Sequence, residues 1–600
     1  MTHLFRNWIS DSMHSPKLLN LLMFSLFFVA GTLLADNEIA ELCPKHLWIR
    51  APEKITLSDN EAVLVCGVRH NPAWDNVPLN QAMVHLRAML QTRGYHFAKL
   101  SHEGDRDIVD TGSRVYVTES LVGGKPPADW NINKFRKVVG EPLTPSLLED
   151  YQKRVESDLK HRGYACPKLE SQAFAESGRI HLTIHPGLLG RIRKIDIDGV
   201  EGLAPEALTR FYAFAPGDIY DSYSLLLSSM RMEADGILQS TFFETKCVGE
   251  SVDVHQKHLA GAPRILRMGT GVNTERGFIG YVDWKHARIG ELGSSLTLGA
   301  KFSYRDTRRN IQQVLASARW FGLKSFNRLY LETSAGAVHE SHENYHNLNV
   351  NFALTPTITW DNQNFGAVAG IGPTLNGTLT YRGEGRPKTF YSTIKGFVRW
   401  IEHELELNYG DPKSGLEFRI QAEASEYGVL SEITARSVNV DGRYLWNIGD
   451  LSPATFILGF RWRLSTTFAP DDLGGYNALP ASLRTFLGGS SDVRGYALKE
   501  IPGAGGAPTL AYLGTEMRVA EVLPWGLQPI ALLDIGRAGS ETLWLNSPTY
   551  FSAGPGLRWA SPVGVFRATL ARGWASGRPS VASQRNYSQW QFLLGYGEEF

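Results

Sequence analysis

From residue 263 to the carboxy-terminus the chain alternates oily and wet residues, segment after segment, and that period restricts the fold more than any other feature. Across residues 295–304 the even positions are Leu296, Leu298, Ala300, Phe302 and Tyr304, and the odd ones Ser295, Thr297, Gly299, Lys301 and Ser303. Leu416, Phe418, Ile420, Ala422 and Ala424 likewise alternate with Glu417, Arg419, Gln421, Glu423 and Ser425. Phe456, Leu458, Phe460, Trp462 and Leu464 alternate with Ile457, Gly459, Arg461, Arg463 and Ser465. A strand points successive side chains to opposite faces, so each segment carries one apolar and one polar face. A soluble sandwich shares this pattern with its apolar face inward. Segments of about 9 to 12 residues, the length of a tilted spanning strand, favour a membrane barrel instead. So does their recurrence about every 21 residues, which fits about 16 strands, an even number as in bacterial barrels. Charges on the polar faces suit a water-filled lumen. Trp284, Trp320, Trp400, Trp462, Trp574 and Trp590 fall near segment ends, as interfacial belts require. The 61 Lys plus Arg balance 61 Asp plus Glu, so no net field gathers nucleic acid.

Residues 18–35 are uncharged, follow Arg6 and Lys17, and close on Ala30, Gly31 and Ala35. This is the layout of a signal peptide over residues 1–35, cut near Ala35, with an uncleaved anchor helix as the alternative. Export leads to an oxidising compartment, where Cys43, Cys66, Cys166 and Cys247 are free to bridge. Cys43 and Cys66 are close enough to staple one small domain, but spacing alone leaves four unpaired structural thiols equally open. No CxxC occurs, which argues against a redox or zinc motif.

Between the leader and the alternating half, one pattern repeats. A helical stretch at 79–91 leads through Arg93-Gly94-Tyr95 into strand-like 96–100. The same order returns at 146–160 with Arg162-Gly163-Tyr164, and more loosely at 223–238 with Phe242-Phe243. A second alternating strand follows each copy, at 114–118, 179–184 and 252–255. Three mixed α/β modules result, over 36–122, 123–188 and 189–262. Their short open sheets leave edges able to accept a strand from another chain, a role compatible with plain spacing.

The alternation breaks once, over 466–507, a stretch rich in Gly, Pro, Ser and Asp and too long for an ordinary connection. It contains Phe486-Leu487-Gly488-Gly489-Ser490-Ser491-Asp492-Val493-Arg494-Gly495-Tyr496. On that run the chain resembles the superfamily of outer-membrane assembly factors that includes BamA, TamA and the two-partner secretion exporters. Three amino-terminal modules make it most similar to the TamA branch, the barrel subunit of the translocation and assembly module. The resemblance implies α+β periplasmic POTRA repeats of β-α-α-β-β order, then a transmembrane antiparallel β-barrel over 263–600. It implies that loop 466–507 folds inward, with Val493, Arg494, Gly495 and Tyr496 forming a latch. Arg494 then meets Glu516 and Asp534 on the next two strands. A guanidinium withdrawn into a lumen needs such carboxylates, which it meets with planar paired bonds. The implied function is insertion or translocation of autotransporters and other β-rich clients at the Gram-negative outer membrane. A TamB-type inner-membrane-anchored partner, unfolded client proteins and the lipid bilayer are the implied partners. A passive pore, a general BamA-like factor and a two-partner exporter are the alternatives.

The closing strands are expected near 264–274 and 589–600. Gly269 and Gly271 in one, and Gly595 and Gly597 in the other, weaken this seam by removing packing and raising the entropy of ordering. Trp590, Phe592, Leu594 and Tyr596 form an apolar face on the last strand, and terminal Phe600 resembles the family's assembly signal. One competing motif is present: His342-Glu343-Asn344-Tyr345-His346 reads HExxH. Zinc binding there requires a helix. In strand-like surroundings positions i and i+4 stand about 13 Å apart, so a hydrated hairpin loop is expected. No nucleophile elbow or phosphate loop occurs, and no catalytic residue, metal or cofactor is expected.

Overall fold

The computed structural model describes residues 38–43, 47–67, 77–128, 130–503, 505–561, 564–576 and 588–596. The expected signal peptide, Gly597 and Phe600 lie outside these. The chain divides into two compact units, one of residues 1–124, 137–154 and 169–184, the other of 125–136, 155–168 and 185–600.

The first unit opens with β1 (Glu38–Cys43) and β2 (Leu47–Ala51), then α1 (Asp59–Cys66), α2 (Leu79–Thr92), β3 (Lys99–Glu103) and β4 (Arg106–Asp110). Their sheet runs β1-β2-β4-β3, with β2 and β4 parallel. Ser58 and Glu61 form a reciprocal capping box that starts α1. Helix α2 buries Ala82, Met83, Leu86, Met89 and Leu90, one stripe at helical spacing, against Leu47, Ile49 and Val109. A Cys43–Cys66 disulfide ties β1 to α1. Residues 114–118 are not the module's second strand. Gly104, at φ +64°, turns the chain so that 106–110 pairs back on 99–103. The 115–117 segment instead bonds to Gly94, Glu141 and Leu143 as a connector. The second sheet begins at β5 (Glu119–Gly124), inside the stretch expected for the first module. After α3 (Pro145–His161) come β6 (Lys168–Phe174) and β7 (Arg179–His185), in the order β5-β7-β6.

The second unit holds the third module and the barrel. The module comprises β8 (Arg191–Ile197), α4 (Glu206–Thr209), α5 (Ser222–Asp235), β9 (Ser240–Val248) and β10 (Ser251–Leu259), with sheet order β8-β10-β9. Asp221 caps α5 through the Tyr223 amide at 2.9 Å, and Gly236 ends it at φ +79°. A Cys166–Cys247 disulfide lies within the same unit.

Sixteen strands then pair antiparallel with their sequence neighbours, from Arg264–Asn273 to Ser588–Tyr596. They run from 9 residues in the last to 18 in the seventh (Phe365–Arg382), longer than the alternation suggested. Large apolar residues face outward: Met268 is 70% exposed, Phe302 47% and Trp590 59%. This inverts a soluble protein's pattern and matches a wall bathed in hydrocarbon. Trp284 and Trp462 sit inside their strands, Gly277–Ile289 and Phe456–Phe468, rather than at the ends.

The third module is seated on one end of the barrel by ion pairs. Arg231 of α5 donates to Asp361 at 2.8 Å and to both oxygens of Glu406 at 2.9 and 2.6 Å. Arg328 joins Asp361 at 2.7 Å and the Tyr212 carbonyl at 2.6 Å. Asp235, at the end of α5, accepts from Lys285 and Arg319 at 2.8 and 2.9 Å. Arg210 donates to the Leu292 carbonyl at 2.6 Å and lies 3.6 Å from the Phe321 ring; burial lowers its pKa to about 10. Removing one member of a mostly buried pair strands the others. Arg231→Ala is expected to loosen this seat by about 3 kcal/mol, read as easier protease cleavage near residues 260–263 with the barrel intact.

Candidate functional site: the inward loop and the barrel seam

The loop between Phe468 and Thr509 turns into the barrel, and its tip residues Val493, Arg494 and Tyr496 are at most 1% exposed. The eleventh strand (Phe456–Phe468) precedes it and the twelfth (Thr509–Val519) follows. Alternation puts Leu510, Tyr512, Glu516 and Arg518 of the twelfth strand on the inner face. Asp534, on the thirteenth strand (Leu527–Gly539), lies opposite Gly514 on that same face.

Arg494 is met from both strands. Its Nε donates to Asp534 Oδ2 at 3.0 Å and Nη2 to Oδ1 at 2.8 Å, a bidentate fork. Its Nη1 donates to Glu516 Oε2 at 2.7 Å, and its backbone amide also reaches Asp534 at 3.0 Å. The acids are themselves held. Arg518 donates to Glu516 at 3.0 Å, and Arg567 of the fifteenth strand (Gly564–Ser576) pairs with it too. Ser552 and Tyr512 donate to Asp534 at 2.7 and 3.1 Å. Two carboxylates thus serve three guanidiniums in a space that excludes water, where each unmet group would be costly.

Around this centre the loop packs as a small core. Leu487, Val493, Tyr496 and Ile501 bury against Leu510, Tyr512 and Tyr550. Gly495 is needed for close approach: a Cβ there would stand 2.5 Å from the Gly573 Cα on the fifteenth strand. Gly573 is as constrained, since its own Cβ would meet the Gly495 carbonyl.

Alternation could have found Arg518, two positions from Glu516 on one face, and Arg567 on the inner face of its strand. The clasp on the loop's far side had no such signal. Residues 342–345 of the HExxH string form the turn between the fifth strand (Leu329–Ser341) and the sixth (His346–Asp361), and the turn is packed rather than hydrated at His342 and Tyr345, with Glu343 exposed. His342 and Tyr345 are 6% and 3% exposed. His342 donates to the Leu498 carbonyl at 3.0 Å, Asn344 to the Lys499 carbonyl at 2.9 Å, and Tyr345 packs on Phe486. Lys499, at φ +57°, reaches Glu340 at 2.9 Å; such backbone costs a non-glycine residue about 1 kcal/mol, so these contacts offset it.

The first and last strands share no ladder among the described residues. The first pairs with its neighbour along its length, from Arg264 opposite His286 to Asn273 opposite Gly277. On its other side, Thr274 and Leu594 are joined by two hydrogen bonds, 3.1 and 3.0 Å. Gly269 and Gly271 lie in the first strand and Gly595 in the last, opposite Arg567. The Tyr281 ring covers Gly269, while Gly271 faces open space. The inward loop touches both flanks of this gap. Ser490 donates twice to Glu275, just past the first strand, at 2.8 and 2.6 Å. Gln589 of the last strand donates to Glu500 at 2.8 Å.

A model of the Omp85 superfamily domain matches residues 266–600, more than half of the chain. The chain belongs to the Omp85 superfamily. Its solved structural neighbours include BamA from Haemophilus ducreyi lacking POTRA domains 1–3, at 16% identity and a TM-score of 0.48, covering 80% of this chain and 100% of that one. CdiB from Acinetobacter baumannii follows at 14% and 0.44, and CdiB from Escherichia coli at 13% and 0.45, each covering 86% of this chain and 97% of its own. No curated protein matches. As an Omp85 protein this is an outer-membrane β-barrel with periplasmic POTRA modules, three here, and a non-enzymatic role in protein assembly or secretion.

Arg494→Ala leaves Asp534 and Glu516 short of a cation in a buried site, so a loss of about 3–5 kcal/mol is expected. Thermal unfolding in detergent and protease cutting within 469–508 will report it. Gly495→Ala keeps every charge yet collides with Gly573. It is expected to free the loop to a similar degree, which separates seating from charge.

Proposed function

We propose that this Omp85 barrel assembles or secretes autotransporter-like and other β-rich clients through its seam, as a TamA-type subunit. The observation that carries the reading is the pairing contrast among the described residues: ladders of eight or more paired residues between sequence neighbours, against two hydrogen bonds between Thr274 and Leu594 at the seam. In hydrocarbon each unpaired backbone group costs several kcal/mol, so a client strand cannot enter the membrane alone. A seam that opens supplies the missing partners, and the client's own folding drives release. Gly269, Gly271 and Gly595 act in this reading as weak points of the closing strands, together with Gly597, and terminal Phe600 as an assembly signal; the last two lie outside the described residues. Val493, Arg494, Gly495 and Tyr496, with Glu516 and Asp534, act as a latch that holds the loop while the seam works.

Three periplasmic modules support the TamA-type assignment, and their sheet edges are the surfaces offered to a TamB-type partner and to unfolded clients. No cofactor enters the cycle. A passive pore would need neither the modules nor a loop braced on both flanks of the gap.

Thr274→Cys with Leu594→Cys tests the seam directly. Oxidation of this pair is expected to stop surface display of an autotransporter, and reduction to restore it. Full display with the pair oxidised would defeat the seam mechanism. Comparing outer-membrane proteomes with and without the protein will name the clients.

A further inference from the structure

The second histidine of the HExxH string belongs to a different site from the first. His342 points inward to the loop, whereas His346 Nε2 lies 2.8 Å from His339 Nε2 on the neighbouring strand. The register places His339 opposite Leu348 and His346 opposite Ser341, a diagonal pair on one face that imidazoles can span. That face is the outer one, since Leu329, Leu331, Val350 and Phe352 of the same two strands are exposed there. Tyr381, 58% exposed, sits 4.9 Å from the His346 ring, and Tyr304 is 55% exposed nearby on the third strand. Tyrosines at strand ends mark the headgroup level, where water is at hand.

We propose that His339 and His346 form a binding site for a borderline divalent cation such as Zn²⁺, Cu²⁺ or Ni²⁺. Two facing Nε2 atoms offer lone pairs that one proton now bridges, and His339 Nδ1 has no hydrogen-bond partner. On binding, the bridging proton moves to the Nδ1 of the ring that held it, and both Nε2 atoms become ligands with no net proton loss. Metal–nitrogen bonds of about 2.0–2.1 Å at a tetrahedral angle need the nitrogens about 3.3 Å apart, a small rotation from the observed spacing. Gln312, directly opposite His339 on the fourth strand, stands on the same face, and its amide oxygen is a candidate further ligand. Water completes the shell, since no group of three or more His, Cys, Asp or Glu converges among the described residues. Imidazole selects these metals over Mg²⁺ and Ca²⁺, which prefer oxygen cages.

The test uses the full chain without an affinity tag of histidines, folded in detergent with its disulfides intact. Zn²⁺ titration by calorimetry is expected to show a site whose Kd weakens at least tenfold in His339→Gln and in His346→Gln, and stays unchanged in His342→Gln. Bound Cu²⁺ is expected to show spin-resonance splitting from two imidazole nitrogens in the native chain and from fewer in either variant. Equal Zn²⁺ binding by the native chain and both variants would overturn the proposal. So would a native Cu²⁺ spectrum without the two-nitrogen pattern, a readout that needs no variant to fold.

Discussion

Hydrocarbon offers no hydrogen bonds, and everything in the larger unit answers to that. Fifteen strand interfaces meet the demand with ladders between sequence neighbours, and the sixteenth does not among the described residues. A barrel built only for stability would close the last interface like the others. Here the first strand turns glycines, Gly269 and Gly271, toward the lumen beside the gap; the Tyr281 ring occupies the space over Gly269, and Gly271 leaves open space where a larger residue would have added packing. The weakness is therefore local, and it sits where two chain ends meet and no turn enforces pairing.

Local weakness demands rigidity nearby, and the inward loop supplies it. Arg494 is fixed by three side-chain bonds to two acids on the twelfth and thirteenth strands, and Arg567 ties the same centre to the fifteenth. These strands lead up to the last one. The buried charges are costly to desolvate, so the cluster is better understood as a device for unique geometry than as a reserve of stability. From that anchor the loop extends to Glu275 on one flank of the gap and Gln589 on the other. Strands on the far side hold it through the His342–Tyr345 turn.

The barrel was legible from period two together with segment length and regular recurrence, because one face meeting lipid and the other water imposes the alternation on strands long enough to span. The pairing of Arg494 with Glu516 and Asp534 was legible only through the motif around it; alternation places those acids inside without saying what they face. Contacts between distant segments left no trace in the sequence. Ser490 and Glu275 are 215 residues apart; Ser490 lies in the loop motif, but nothing in the sequence names Glu275 as its partner. The HExxH string was read correctly as strand-like, with His342 and His346 apart, but its expected hydration failed: alternation could not show that His342 and Tyr345 pack against the inward loop. The 114–118 alternation failed as a strand for a related reason. A single glycine at 104 turned the chain early and gave the pairing to 106–110 instead.

The periplasmic end completes the logic. Arg231, Arg328, Lys285 and Arg319 are matched by Asp361, Glu406 and Asp235, so the third module is fixed to turns of several strands at once. Charge pairs of this kind hold orientation while leaving the surrounding surface wet, unlike an apolar seal. The third module and the barrel thus share one fixed geometry within the larger unit, in a barrel braced from within by the inward loop. Each charge cluster ties one place, the third module at one end and the inward loop within, while among the described residues the first and last strands share no ladder.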